Sequence, residues 1–177
     1  MPNNHTVVNT MHCTCWDVDA YKSVGIANSD MDNGTFVTLG DIANSNNAIT
    51  GFQFNVTAPA ANAVNLWMVR TPEPNGTLES QVYSDPRYFY NVANRPMSLC
   101  YMNPGVDVIE ITAEGFASGN APTDQPTYKF ASVNTNGKLV IAETAPAQGT
   151  YFALLGTHTI DVGQTLLTSY VLKCMRN

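Results

Sequence analysis

The chain is poor in charge: Asp, Glu, Lys and Arg make up 12% of its 177 residues, where about 25% is usual for a soluble domain. Its eight lysines and arginines are scattered, and the net charge is −6. Nucleic-acid backbones and anionic membrane surfaces are both held by clustered cations, so neither partner is expected. Long apolar runs are missing too; none approaches the ~18 residues that cross a bilayer as a helix. Long segments rich in Glu, Lys, Ala and Leu at helical spacing are lacking, which argues against a helical protein. The opening stretch MPNNHTVVNTMHC has no basic region and no apolar region, so it does not read as a secretory leader. The expectation is synthesis and maturation in a cytoplasm, with Cys13, Cys15, Cys100 and Cys174 reduced.

Neutral polar residues fill the place of the missing charges. The chain has 19 Asn, 19 Thr, 12 Gly and 10 Pro. Thr suits a pleated, half-buried surface. Asn and Gly tolerate the positive φ of tight turns, and Pro interrupts strands. A chain of this length buries about 70% of its unfolded surface, so a single domain can build its core without disulfide or metal.

The apolar pattern changes every few residues. Alternation runs over 21–26 and again over 35–39, with Asn33-Gly34 between them predicting a hairpin. Residues 51–56 place Phe52, Phe54 and Val56 on one face. Residues 65–70 form a continuous apolar run that reads as a buried strand, with Trp67 in the core. Further strands are predicted at 97–102, 106–112, 151–155 and 166–173, and one helical turn within 114–119. Residues 128–133 and 138–142, joined through Asn136-Gly137, predict a second hairpin. The fold class is therefore all-β: a β-sandwich or barrel-like body of short antiparallel strands. Residues 1–19 read as an extended N-terminal arm or an edge strand, and 20–177 as the β-rich body.

No cluster carries a recognisable chemistry. His12, Cys13 and Cys15, with Cys100 and Cys174, lack the paired two-to-four-residue spacing of structural zinc sites. They read as packing thiols, with a disulfide in an oxidising environment as the alternative. Asp30-x-Asp32-x-Gly34, with Asp41 beyond, has the glycine one place early for a calcium loop and no closing Glu, so a turn is preferred. Asp17 with Asp19, and Asp107 with Glu110, read as solvated strand edges. His5, His12 and His158 are far apart, and no nucleophile-elbow, zincin or P-loop motif is present. No enzyme, cofactor or metal is expected. Tyr83, Tyr88, Phe89 and Tyr90 read equally well as a binding surface or as a patch under a long loop. Four Asn-x-Ser/Thr sites, at Asn4, Asn33, Asn55 and Asn75, are what this composition gives by chance.

Three blocks, in order, resemble small head-associated proteins of tailed bacteriophages. Residues 21–40 (YKSVGIANSDMDNGTFVTLG) resemble their opening strand, acidic Asn-Gly turn and Val-x-Leu-Gly strand. Residues 92–116 (VANRPMSLCYMNPGVDVIEITAEGF) resemble their central pair of strands, and 128–141 their closing hairpin. The resemblance implies a capsid decoration, or cement, protein: a virion component made in the host cytoplasm that binds the capsid exterior and stabilises the shell. Its implied partners are the major capsid protein and neighbouring copies of itself. The arm residues Val7, Val8, Met11 and Trp16 would reach those partners, and removing residues 1–19 would weaken attachment while leaving the body folded. The alternative is a tail, fibre or adhesin-like module that binds carbohydrate. A hydrolase assembled in space is a third reading.

Overall fold

A computed structural model describes residues 5–43, 52–73, 85–122, 129–162 and 165–177. Eleven strands are formed: β1 (Val8–His12), β2 (Lys22–Ile26), β3 (Phe36–Ile42), β4 (Phe54–Thr57), β5 (Trp67–Val69), β6 (Pro96–Tyr101), β7 (Val108–Thr112), β8 (Phe130–Val133), β9 (Leu139–Ala142), β10 (Tyr151–Val162) and β11 (Thr165–Arg176). Helix among the described residues is confined to 3-10 turns at Thr14–Trp16, Asp19–Tyr21 and Ala113–Gly115. The all-β expectation holds. Five strands close a barrel in the order β2-β4-β3-β5-β6, and six form a sheet in the order β1-β7-β11-β10-β8-β9. The pairs are antiparallel except β2–β4, which is parallel.

Strand alternation splits the apolar residues between two cores. Val37, Val56, Val69, Met97 and Leu99 fill the barrel. Their neighbours in sequence, Phe36, Met68 and Cys100, face the other way. There they meet the inner face of the sheet, including Ile109, Ile111, Phe152 and Leu172. Phe36 and Phe152 pack with ring centroids 5.3 Å apart at the centre of this joint. Polar ties surround it. The side chain of Asn177, at the end of β11, bonds both backbone groups of Leu66 and accepts from the Thr150 hydroxyl. Lys138 donates to Asp32, to Thr6 and to the Glu114 carbonyl.

Asparagine earns its abundance at turns: Asn62, Asn65 and Asn94 all have positive φ, a region where its short amide is tolerated. Asn136-Gly137 does make the predicted hairpin, pairing β8 with β9 from Val133↔Leu139. Gly137 also receives a bond from Phe36 N at its carbonyl. Its φ is +72°, and a Cβ there would sit 2.2 Å from the Phe36 carbonyl oxygen. Gly137→Ala is expected to cost about 2–4 kcal/mol from left-handed strain and overpacking together. Urea unfolding of the variant checks this; an unchanged midpoint would mean the turn can detach from β3 without loss.

Asn33-Gly34 behaves differently from the expectation. Gly34 has the positive φ of a turn, but β2 and β3 do not pair as a hairpin, because β4 lies between them in the barrel. Asn33 is buried, and its amide bonds the backbone N and O of Thr71. The side chain has replaced a strand partner, so the turn docks on the barrel instead of reversing the chain.

The acidic pairs also differ. Asp17 and Asp19 are exposed, but Asp107 is completely buried and Glu110 nearly so. Asp107 accepts from Thr14 N, the Thr14 hydroxyl and Asn103 N, which replace its water shell. Glu110 accepts from Ser169 and lies 2.9 Å from His158 Nδ1. Their place in alternating segments marks a strand but does not reveal which face is covered.

The first strand is the sheet's edge. β1 pairs with β7 through Val8↔Ile111 and Asn9↔Glu110, and Val7, Val8, Cys13 and Cys15 are buried. Cys15 is joined to Cys100 in a disulfide. This corrects the expectation that all four cysteines are reduced. The partners are separated by 85 residues, so only the packing of the Thr14–Trp16 turn against β6 brings them together.

Candidate functional site

A concavity lies where the N-terminal segment meets the β2–β6 side of the barrel. It is an open groove of about 820 Å³, within the range of ligand sites. Thr10, Cys15 and Trp16 line one side, and Lys22, Val24, Ser98, Cys100 and Arg70 come from the barrel. Phe52 and Phe54, from the start of the β4 segment, complete the apolar lining. The Cys15–Cys100 disulfide is therefore part of the wall.

Two groove residues are large apolar side chains left in solvent: Trp16 is 55% exposed and Phe52 77%. Isolated exposed apolar residues are ordinary, but neighbouring ones in a concavity mark a recognition surface. No Asp or Glu lines the groove among the described residues, although carboxylates outnumber cations in the chain by 14 to 8. Lys22 is paired with Asp19 at 2.9 Å, but both side chains are well exposed, and such a pair is weak. Arg70 is half-buried; its Nη1 donates to the Thr71 carbonyl at 2.9 Å and lies 3.4 Å from Glu73. Its Nε is buried with no acceptor.

Of the described residues expected from the sequence to touch a partner, Trp16 alone lines this groove; Cys15 and Cys100, singled out there as thiols, line it as a disulfide. Val7 and Val8 belong to the chain's own interior, and Met11 is 69% exposed on β1. Tyr88, Phe89 and Tyr90 are half-buried. Tyr90 stacks on His5 at 5.0 Å, and Arg87 lies over Tyr88 while bonding Asp85 and the Thr165 hydroxyl. That hydrogen-bonded arginine holds the Asp85 carboxyl below the usual range. This patch ties the first residues and the β11 start to the body. Tyr83 lies outside the described residues, as do Asn4 and Asn75. Trp67 is half-buried against the barrel core, with Tyr101 at its edge.

Phe52, Lys22 and Arg70 were not legible as site residues. Alternation groups Phe52 with Phe54 and Val56, but β4 starts at Phe54. Phe52 precedes the strand, yet it lines the groove together with Phe54, while Val56 is buried in the barrel. The nearest sequence signal is negative: a Phe beside Gly51, at the end of a polar stretch.

The remaining thiols are not part of the groove. Cys13 and Cys174 are buried. Burial, and secondarily the Asp107 carboxylate, pushes both up to about 12. They stay protonated at pH 8, and thiolate is the reactive form. A thiol reagent at pH 8 is expected to find no fast-reacting thiol in the native protein and two after denaturation without reductant. Because the folded state holds these protons more tightly, stability from this source is complete below about pH 9 and declines between about pH 9 and 12. Fast labelling of either thiol in the native state would contradict the buried placement.

Some carboxylates outside the groove are engaged within the fold. Asp32 takes Lys138 and His5, and Asp30 accepts from Ala93 N. Ser169 is fully buried and bonds the Glu110 carboxylate and the His158 carbonyl. This is not the nucleophile-to-imidazole contact of a hydrolase. Comparison of the chain with protein-family models, with curated proteins and with solved structures gives no match in any of the three.

Proposed function

We propose that this chain is a non-enzymatic attachment protein that binds the exterior of a phage capsid and stabilises the shell. The observation that carries an attachment role is the groove itself, a concavity in which Trp16 and Phe52 are both exposed. The choice of partner rests on the three-block resemblance. A rigid β scaffold presenting aromatic side chains suits protein recognition, because a planar ring gains much contact area for little conformational entropy. Many copies on one shell would gain further from high local concentration.

The test is addition of purified protein to mature shells lacking it, followed by sedimentation and thermal melting of the shell. Saturable binding with a higher melting temperature is the expected result. Trp16→Ala with Phe52→Ala should weaken binding by tenfold or more, since hot-spot aromatics are each worth about 2 kcal/mol. Folded protein that never sediments with shells would rule the capsid out. A second reading, carbohydrate binding, draws on the same groove: Trp16 offers a stacking face beside Thr10, Ser98 and Arg70 as hydrogen-bonding groups. Specific retention on a glycan array would favour it.

A further inference from the structure

We infer that the groove receives an extended peptide segment of the partner in which an aromatic or branched aliphatic side chain sits next to a carboxylate. The inference rests on the attachment reading and adds the chemistry of what is attached. Three features converge on it. The apolar body of the groove, between Trp16, Val24 and Phe52, fits a large hydrocarbon side chain. Among the described residues its formal charges, Lys22 and Arg70, are both positive, in a chain of net charge −6. Both cations have capacity left. The exposed Lys22–Asp19 pair can exchange partners at small cost. The Arg70 guanidinium has an N–H buried without an acceptor, an unfavourable state that a turn toward an incoming carboxylate would relieve. Each cation has one acid beside it, Asp19 for Lys22 and Glu73 for Arg70, and a cationic segment would add like charge next to both on closing the groove.

The chain carries its own reporter. It has two tryptophans; Trp16 is in the groove, and Trp67 is packed against the barrel core. In a Trp67→Phe background, emission from the full-length protein reads groove occupancy alone. The probes are acetyl-Ala-Ala-Phe-Glu-Ala-amide, its Glu→Gln and Glu→Lys counterparts, a chitin tetrasaccharide and decanoate. The expected result is a saturable Trp16 shift with the Phe-Glu peptide, at least tenfold weaker with Gln and absent with Lys. Lys22→Gln combined with Arg70→Gln should erase the preference for Glu over Gln while the apolar contribution remains. Equal affinity for all three peptides, no shift with any of them, or tighter binding of the saccharide or decanoate would overturn the inference.

The shell assay separates this failure from failure of the attachment reading. Shell binding undiminished in the Lys22→Gln, Arg70→Gln protein would reject the acidic segment and keep attachment. Peptide binding as expected, with no shell binding, would reject the capsid and keep the ligand chemistry.

Discussion

Removal of residues 1–19 is expected to leave a chain that no longer holds its native fold at 25 °C. Four consequences add. The sheet loses its edge strand β1 and uncovers β7 at Ile109 and Ile111, which are fully buried in the intact protein. Val7 and Val8 leave the core, a loss of about 1.5–3 kcal/mol each. Asp107 loses Thr14, the donor of two of its hydrogen bonds, and an under-satisfied buried carboxylate is costly. The disulfide to Cys100 disappears as well. Together these losses match the 5–15 kcal/mol that a whole domain has to spare. The measurement is near-ultraviolet circular dichroism and urea unfolding of the truncated chain beside the full one. A cooperative transition close to the intact protein's would show that residues 1–19 are an appendage, and attachment would then be their main use. Trp16→Ala alone is the control, since an exposed indole can be removed with little effect on the fold.

The second large effect is expected from the disulfide alone. Cys15–Cys100 closes a loop with a sequence separation of 85, for which the loop-entropy relation gives about 4.6 kcal/mol. Cys15→Ala with Cys100→Ala is expected to lower stability by about 2–5 kcal/mol. A dithiol should lower the urea midpoint of the native protein toward that of the double variant, and should leave the variant's own midpoint unchanged. Equal midpoints for native and variant proteins would show that the surrounding packing fixes this junction without the covalent link. Because the same bond forms part of the groove wall, the double variant should also bind shells less tightly, and the native protein should do so after reduction. Loss of stability without loss of binding would place the partner elsewhere on the surface.

The junction at Cys15 and Cys100 illustrates what the sequence shows and what it conceals. Most strands were legible in place, but β10 runs on to Val162 and β11 from Thr165 to Arg176, beyond the expected 151–155 and 166–173. Alternation over 97–102 and 106–112, and the Asn136-Gly137 turn, reflect local preferences: side chains repeat every two residues along a strand, and left-handed turns favour Asn and Gly. So was the fold class, because a chain with many Asn, Thr, Gly and Pro and few charges has little with which to make exposed helices. The role of Asn33-Gly34 was only half legible. The local turn chemistry was present, but the strand it would have paired with lay beyond β4.

What the sequence by itself determined is a list of short strands, their turns and the exclusion of a cationic surface. The tertiary structure alone decided which strands became neighbours, that Asp107 and Glu110 would be buried, and that Cys15 would meet Cys100 while Cys13 and Cys174 stayed thiols. It alone brought Trp16, Phe52 and Arg70 to one groove. The physical reason is range. Turn and strand preferences act within a few residues, whereas the barrel closure, the disulfide and the groove depend on contacts whose loop-closure cost is repaid only when both cores pack at once.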